Sequence, residues 1–171
     1  MPIITNKITL IIGLGRSGYW AAKFLNRKGE RVIVLEEKIN DQLAIYKKDL
    51  ENIGIEVFLE FPFKFEKISP WINNINYVIL SPAIDIENQT VLKLKNAGIK
   101  VLGEANIGWN YLKDINWVGI TGTNGKSTVT HLLSHILSQN NLEAPSAGNI
   151  GTPLCKYAYD YNLNKKLDWI I

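Results

Sequence analysis

The chain has 171 residues, 46% of them hydrophobic and 20% charged, and 19 Lys and Arg against 16 Asp and Glu leave a net charge of +3. This balance excludes a disordered, collagen-like or low-complexity polypeptide, and at this length roughly two thirds of the unfolded surface can be buried. The basic surplus is small and scattered, so no nucleic-acid partner is expected; no apolar run approaches the ~18 residues of a membrane span, so no membrane partner is expected either.

In chain order, Ile8–Ile12 reads as a buried first strand feeding a glycine loop, and Ser17–Lys28 as a helix with Trp20, Phe24 and Leu25 on one face and Gly29 as its stop. Arg31–Glu36 is the second strand, Asp41–Ile53 a helix ended by Gly54, and Ile55–Leu59 a third strand. Pro62 and Pro70 interrupt the stretch Glu60–Asn76, which predicts loop and a short helix. Tyr77–Leu80 is a strand stopping at Ser81-Pro82, Asn88–Ala97 a helix capped by Gly98, and Ile99–Leu102 a fifth strand. Glu104–Asp114 reads as helix and linker. A second unit opens with the strand Asn116–Thr121 and the helix Ser127–Gln139, and ends on a strand, Leu167–Ile171. The fold class is therefore α/β: a Rossmann-like parallel-sheet domain over 1–103, a linker over 104–115, and the start of a P-loop ATPase-like α/β domain over 116–171. An α/β unit seldom stops on a strand whose C-terminal edge carries a functional loop, so the chain is expected to be a fragment.

Two glycine loops carry the chemistry. Gly13-Leu14-Gly15-Arg16-Ser17-Gly18 is a G-x-G-x-x-G between strand and helix. Its first glycine permits the turn, the second lets a phosphate approach the backbone, and the third lets helix and strand pack closely. Glu36 ends the second strand where such folds hydrogen-bond a sugar or base; this spacing does not separate NAD from a UDP-sugar. The second loop, Thr121-Gly122-Thr123-Asn124-Gly125-Lys126-Ser127, has Ile120 where a strict P-loop has its first glycine. It keeps the glycine-permitted backbone N–H groups, Lys126 for the β- and γ-phosphates of ATP, and the Ser127 hydroxyl for Mg²⁺. His131 and His135, one turn apart on the following helix, lack the glutamate of a zinc motif and are read as ordinary helix residues. Trp20, Trp71, Trp109, Trp117 and Trp169 are read as packing, Lys47-Lys48 and Lys165-Lys166 as solvated surface, and the single Cys155 as an inert thiol suited to a reducing compartment. The N-terminus has no signal-peptide pattern, so a soluble, cytoplasmic protein is expected; the sequence does not show its oligomeric state, for which a monomer is the default.

The run Thr121–Thr128, followed by Gly148-Asn149-Ile150-Gly151, resembles the ATP-dependent Mur ligase family. Within it, Gly13–Gly18, Ser81-Pro82-Ala83-Ile84, Gly103-Glu104 and the serine after Lys126 resemble the member that adds D-glutamate to UDP-N-acetylmuramoyl-L-alanine in peptidoglycan precursor synthesis. The resemblance implies a UDP-binding first domain, an ATP-binding central domain and a C-terminal domain that recruits the amino acid. It implies that Gly15, Arg16 and Ser17 lie against the UDP group, that Glu36, Glu37 and Lys38 face the uracil, and that Ser81 and Pro82 lie near the diphosphate. Asn149 is implied to contact the muramoyl part. Gly122, Thr123, Asn124, Gly125, Lys126, Ser127 and Thr128 are implied to hold ATP, with Lys126 and Ser127 catalytic and Ser127 on Mg²⁺. The family has glycine where this chain has Ala83, and frequently a small hydroxyl residue where it has Glu37. The implied chemistry is carboxylate activation: ATP phosphorylates the alanine carboxylate, and the D-glutamate amine displaces phosphate from the acyl phosphate to form an amide. The family's second Mg²⁺ ligand, its modified lysine and its amino-acid domain are expected beyond Ile171, so the chain alone is expected not to catalyse ligation.

Two other readings stay open on the residues. One is a non-catalytic module that senses NAD(H) through the first loop and ATP through the second. The other is a Mur ligase of different amino-acid specificity, or the related folate polyglutamate synthase, against which the complete domain ahead of the P-loop counts.

Overall fold

The computed structural model describes residues 7–148 and 150–171, and the chain divides into two compact units, Met1–Glu104 and Ala105–Ile171. In the first unit, β1 (Ile8–Ile12), β2 (Arg31–Leu35), β3 (Glu56–Phe58), β4 (Ile75–Leu80) and β5 (Lys100–Gly103) form one sheet in the order β3-β2-β1-β4-β5. All of its pairings are parallel. Every residue of β1 is buried, as expected of a central strand covered on both faces. Helices α1 (Arg16–Arg27), α2 (Asp41–Glu51), α3 (Phe65–Ile68) and α4 (Gln89–Asn96) make the crossovers, and a 3₁₀ turn, Ser69–Asn74, leads into β4. The strand order reverses between β1 and β4, so the loops after β1, β2 and β4 open at one edge, where α/β sheets bind ligands.

Side-chain ties hold this frame. At the opposite end of the sheet, the Glu30 carboxylate accepts from the Thr9 hydroxyl at 2.5 Å and the Tyr77 hydroxyl at 2.7 Å. Helix α1 is clamped to α2 by Asp49, which accepts from the Tyr19 hydroxyl at 2.5 Å and the Lys23 amine at 2.9 Å, while Tyr19 stacks on Tyr46 at 4.2 Å. The Lys23 bond, then the Tyr19 bond, holds the Asp49 carboxyl below its ordinary value of 3.8. A depressed carboxylate pKa contributes stability in full above the ordinary value and loses it as pH falls through the folded value. The wild-type thermal midpoint is therefore expected to drop further than that of Asp49→Asn between about pH 5 and about pH 3, as followed by circular dichroism. Equal drops in the two proteins would remove this clamp from the acid response.

The second unit contains α5, whose helix begins at Glu104 and runs to Leu112, then β6 (Asn116–Trp117), α6 (Lys126–Gln139), α7 (Leu154–Tyr161) and β7 (Trp169–Ile170). Strands β6 and β7 pair in parallel. Both are shorter than the sequence pattern predicts. Beyond Trp117, among the described residues, the Val118 N–H continues the ladder, to the Ile170 carbonyl at 2.9 Å, and Gly119–Thr121 lead into the loop. On the other side of β7, the Ile171 N–H donates to the Pro145 carbonyl at 3.1 Å and the Ala147 N–H to the Ile171 carbonyl at 2.9 Å. Helix α7 was not among the predicted elements; Pro153 stands before its first turn, and Leu154, Cys155 and Ala158 bury one face. Cys155 is fully buried there. Among the described residues no helix is long and apolar enough to cross a membrane.

Candidate phosphate-binding sites

In the first unit the three loop glycines meet three different surroundings. Gly13 has φ +99°, and a Cβ on it would lie 2.5 Å from that of Ser81. A Cβ on Gly18 would fall on the Gly13 carbonyl oxygen. Around Gly15, by contrast, a Cβ would meet nothing within 4 Å. Two of the glycines are thus required by the protein's own packing, while the third keeps open space beside the helix start. Gly15 is the N-cap of α1; no side chain caps that end, and no acid stands in its first turn. The first N–H groups and the positive end of the helix dipole therefore face outward together, an arrangement suited to phosphate.

Gly15 lines a cavity of about 350 Å³ at the C-terminal edge of the sheet. Glu36, Glu37, Lys38 and Ser81 line it too, so five of the sequence-predicted residues come together. Arg16 and Pro82 are exposed and Ser17 half-buried, all three outside the lining. The two carboxylates are turned toward backbone. Glu36 accepts from the Leu14 N–H at 2.7 Å through one oxygen and from the Lys38 N–H at 2.9 Å through the other. It thereby clips the glycine loop to the β2–α2 turn. Glu37 accepts from the Phe63 N–H at 2.8 Å. The apolar wall of the cavity, including Leu43, Phe61, Phe63 and Ile84, was missed by the sequence reading, because two of these residues lie in a proline-interrupted stretch without periodicity.

In the second unit, the loop 121–125 and the first residues of α6 are exposed. Gly122 and Gly125 hold φ +151° and +77°, which L side chains rarely adopt. Gly125 is the N-cap of α6, again without a side-chain cap or a first-turn acid. The Lys126 ammonium donates to the Gly122 carbonyl at 2.5 Å and to the Thr123 carbonyl at 3.3 Å, so it lies across the loop at the helix start. Lys126 and Ser127 line a cavity of about 420 Å³ with residues 117–120, Gly148 and Ile150, while Gly122, Thr123, Asn124, Gly125 and Thr128 lie outside that lining in the exposed loop and first turn. Asn149 lies outside the described residues. His131 and His135 are exposed, and among the described residues no group of three His, Cys, Asp or Glu could hold a metal ion. Ser127 offers a hard donor: a hydroxyl oxygen beside a phosphate cradle fits Mg²⁺, which takes its other oxygens mainly from phosphates and water.

Comparison with known proteins places both units. Residues 7–103 match the family model described as the Mur ligase MurD-like N-terminal domain, and residues 120–169 match the Mur ligase middle domain. A protein of Prochlorococcus marinus (strain MIT 9515) named UDP-N-acetylmuramoylalanine--D-glutamate ligase is 56% identical over 176 residues, covering all of this chain and 37% of that protein. A like-named protein of strain MIT 9312 is 54% identical over 96% of this chain and 35% of its own length. The chain thus spans little more than a third of these relatives. Among solved structures, UDP-N-acetylmuramate:L-alanyl-gamma-D-glutamyl-meso-diaminopimelate ligase from Neisseria meningitides superposes with a TM-score of 0.56 at 18% identity, over 96% of this chain and 51% of that one, a likeness of fold.

Proposed function

This chain belongs to the Mur ligase family, and on that premise we propose that it is the N-terminal and central part of an ATP-dependent ligase joining D-glutamate to UDP-N-acetylmuramoyl-L-alanine in peptidoglycan precursor synthesis. The observation that carries this reading is the 56% identity, over the whole chain, to a relative named for that activity. Two uncapped helix starts, one on each glycine loop, support it, because the reaction needs one site for a nucleotide-linked substrate and another for ATP.

In the proposed division of labour, the 1–103 domain takes the UDP substrate and 116–171 take ATP, with α5, from the stretch 104–115 expected as a linker, packed in the same unit as the ATP site. Gly15, Arg16, Ser17, Glu36, Glu37, Lys38, Ser81 and Pro82 serve the UDP moiety, by contact or by shaping its cavity, and Asn149 serves the muramoyl part. Gly122, Thr123, Asn124, Gly125, Lys126, Ser127 and Thr128 serve the triphosphate. A carboxylate is a poor electrophile, and phosphoryl transfer to the alanine carboxylate makes it a good one; catalysis of that transfer is mostly positioning and charge stabilisation. Lys126 supplies a fixed positive charge at the loop, and the α6 N–H groups hold the phosphate oxygens. Ser127 would be one protein ligand of Mg²⁺, which when bound would supply further charge neutralisation. The reading places the protein in the cytoplasm as a monomer.

Calorimetric titration of the 171-residue chain with UDP-N-acetylmuramoyl-L-alanine, and separately with NADH, tests the first domain. Saturable heat with the UDP substrate and none with NADH is expected. The opposite pattern would overturn the reading and favour a nicotinamide-sensing module.

A further inference from the structure

The stretch between β3 and α3 forms one wall of the first unit's cavity without belonging to the sheet. Its backbone is held largely from outside. The Phe61 N–H donates to the Glu36 carbonyl at 2.9 Å. At Phe63, both peptide groups are engaged by side chains of other elements: the N–H donates to the Glu37 carboxylate at 2.8 Å, and the carbonyl accepts from the Thr90 hydroxyl at 3.1 Å. Thr90 sits in the first turn of α4, is 8% exposed, and is absent from the cavity lining. Phe61 and Phe63 both line the cavity, and Trp71, which does not, packs on Phe61 with ring centroids 5.8 Å apart. A wall segment hung on two side chains moves when either is lost, because each peptide group it leaves unpaired must seek another partner.

We propose that Glu37 and Thr90 are positioning residues that fix the Phe61–Phe63 segment as the apolar wall against which the pyrimidine ring of the UDP substrate rests. Glu37 acts through the Phe63 N–H and not by touching the ligand. This rests on the UDP reading of the cavity. Glu37 has the reach to bridge from the β2–α2 turn to Phe63.

The test is calorimetric titration of UDP into the wild-type chain and into Glu37→Ala, Glu37→Gln, Thr90→Val, Thr90→Ser and the Glu37→Ala/Thr90→Val double variant, with thermal melts of each. Glu37→Ala is expected to weaken UDP binding by about tenfold, and Glu37→Gln to restore it, since the amide oxygen accepts the same N–H. Thr90→Val is expected to weaken binding severalfold and Thr90→Ser to restore it. The double variant should lose less than the product of the single losses, because both act on one residue. A loss in Glu37→Ala that Gln does not rescue, with Thr90→Val binding as wild type, would show that Glu37 contacts the ligand and overturn the proposal. Wild-type affinity in every variant would overturn it as well. If Thr90→Val does not fold, the two Glu37 variants and Thr90→Ser still decide. No binding by the wild-type chain would overturn the UDP reading and this inference together, whereas wild-type binding with unchanged variants sinks the inference alone.

Discussion

Lys126→Ala is expected to weaken ATP binding to the chain by about a hundredfold while leaving its thermal midpoint within a degree or two of the wild type. The size follows from the bond lost: a hydrogen bond to a charged phosphate contributes about 1.5–3 kcal/mol, or roughly ten- to 150-fold in affinity. The small effect on folding follows from where Lys126 stands. It is exposed, among the described residues its ammonium bonds reach the Gly122 and Thr123 carbonyls, and α6 starts without it through Gly125 and the bond from the Val129 N–H to the Gly125 carbonyl at 2.9 Å. Lys126→Arg is not expected to rescue, because the planar guanidinium cannot replace a compact ammonium lying across so tight a loop. Ser127→Ala separates the metal from the phosphates: affinity for MgATP should fall, and affinity for ATP in excess chelator should not. Titration of all three variants with and without Mg²⁺ checks this. Unchanged MgATP binding by Lys126→Ala would mean that the nucleotide does not use this loop.

What the sequence conveyed about these loops depended on whether local geometry or tertiary contact decided each residue. The positive φ of Gly13, Gly122 and Gly125 is a property of the backbone turn itself, so a glycine pattern between strand and helix announces it. The parallel five-strand sheet was legible for the same kind of reason: short β-branched runs alternate with amphipathic helices, and the central run Ile8–Ile12 is apolar enough to be buried throughout. The carboxylates of Glu36 and Glu37 are another matter. Their position after β2 was legible, but whether they point to a ligand or back to the chain depends on the Leu14 and Phe63 N–H groups, which lie 22 and 26 residues away in sequence. The Phe61–Phe63 wall escaped because Pro62 removes the period from which burial is read. Helix α7 carried usable signals that were not read: Leu154, Cys155 and Ala158 recur on one face of its eight residues, and Pro153 stands at its start. In β6 the ladder pairs Asn116 and Trp117 with Trp169 and Ile170, two residues of the run Asn116–Thr121 that the pattern reads as strand.

The other large effect separates two glycines of one motif, and in opposite directions. Gly15→Asp is expected to leave the thermal midpoint at or above that of the wild type and to abolish UDP binding. Gly15 has φ −66° and ψ −177°, an extended conformation open to any residue, and a Cβ there meets nothing within 4 Å. Aspartate is among the preferred N-caps; its carboxylate can accept from the first-turn N–H groups of α1, and against the helix dipole it contributes up to about 1 kcal/mol. The same carboxylate then occupies the donors that a diphosphate needs and repels it. Gly18→Ala should behave in reverse. Its added methyl falls on the Gly13 carbonyl oxygen, so the loop or the start of α1 must shift, at a cost of about 1–3 kcal/mol, which for a domain of this size lowers the midpoint by roughly 4–8 °C per kcal/mol. Its UDP affinity should fall only as far as the loop is displaced. Melts and UDP titrations of both variants check the pair. A Gly15→Asp protein that unfolds early, or that binds UDP as well as the wild type, would remove the phosphate role from this helix start. A stable Gly18→Ala protein would mean that the loop can relax around a methyl group at a point where the backbone leaves no room for one.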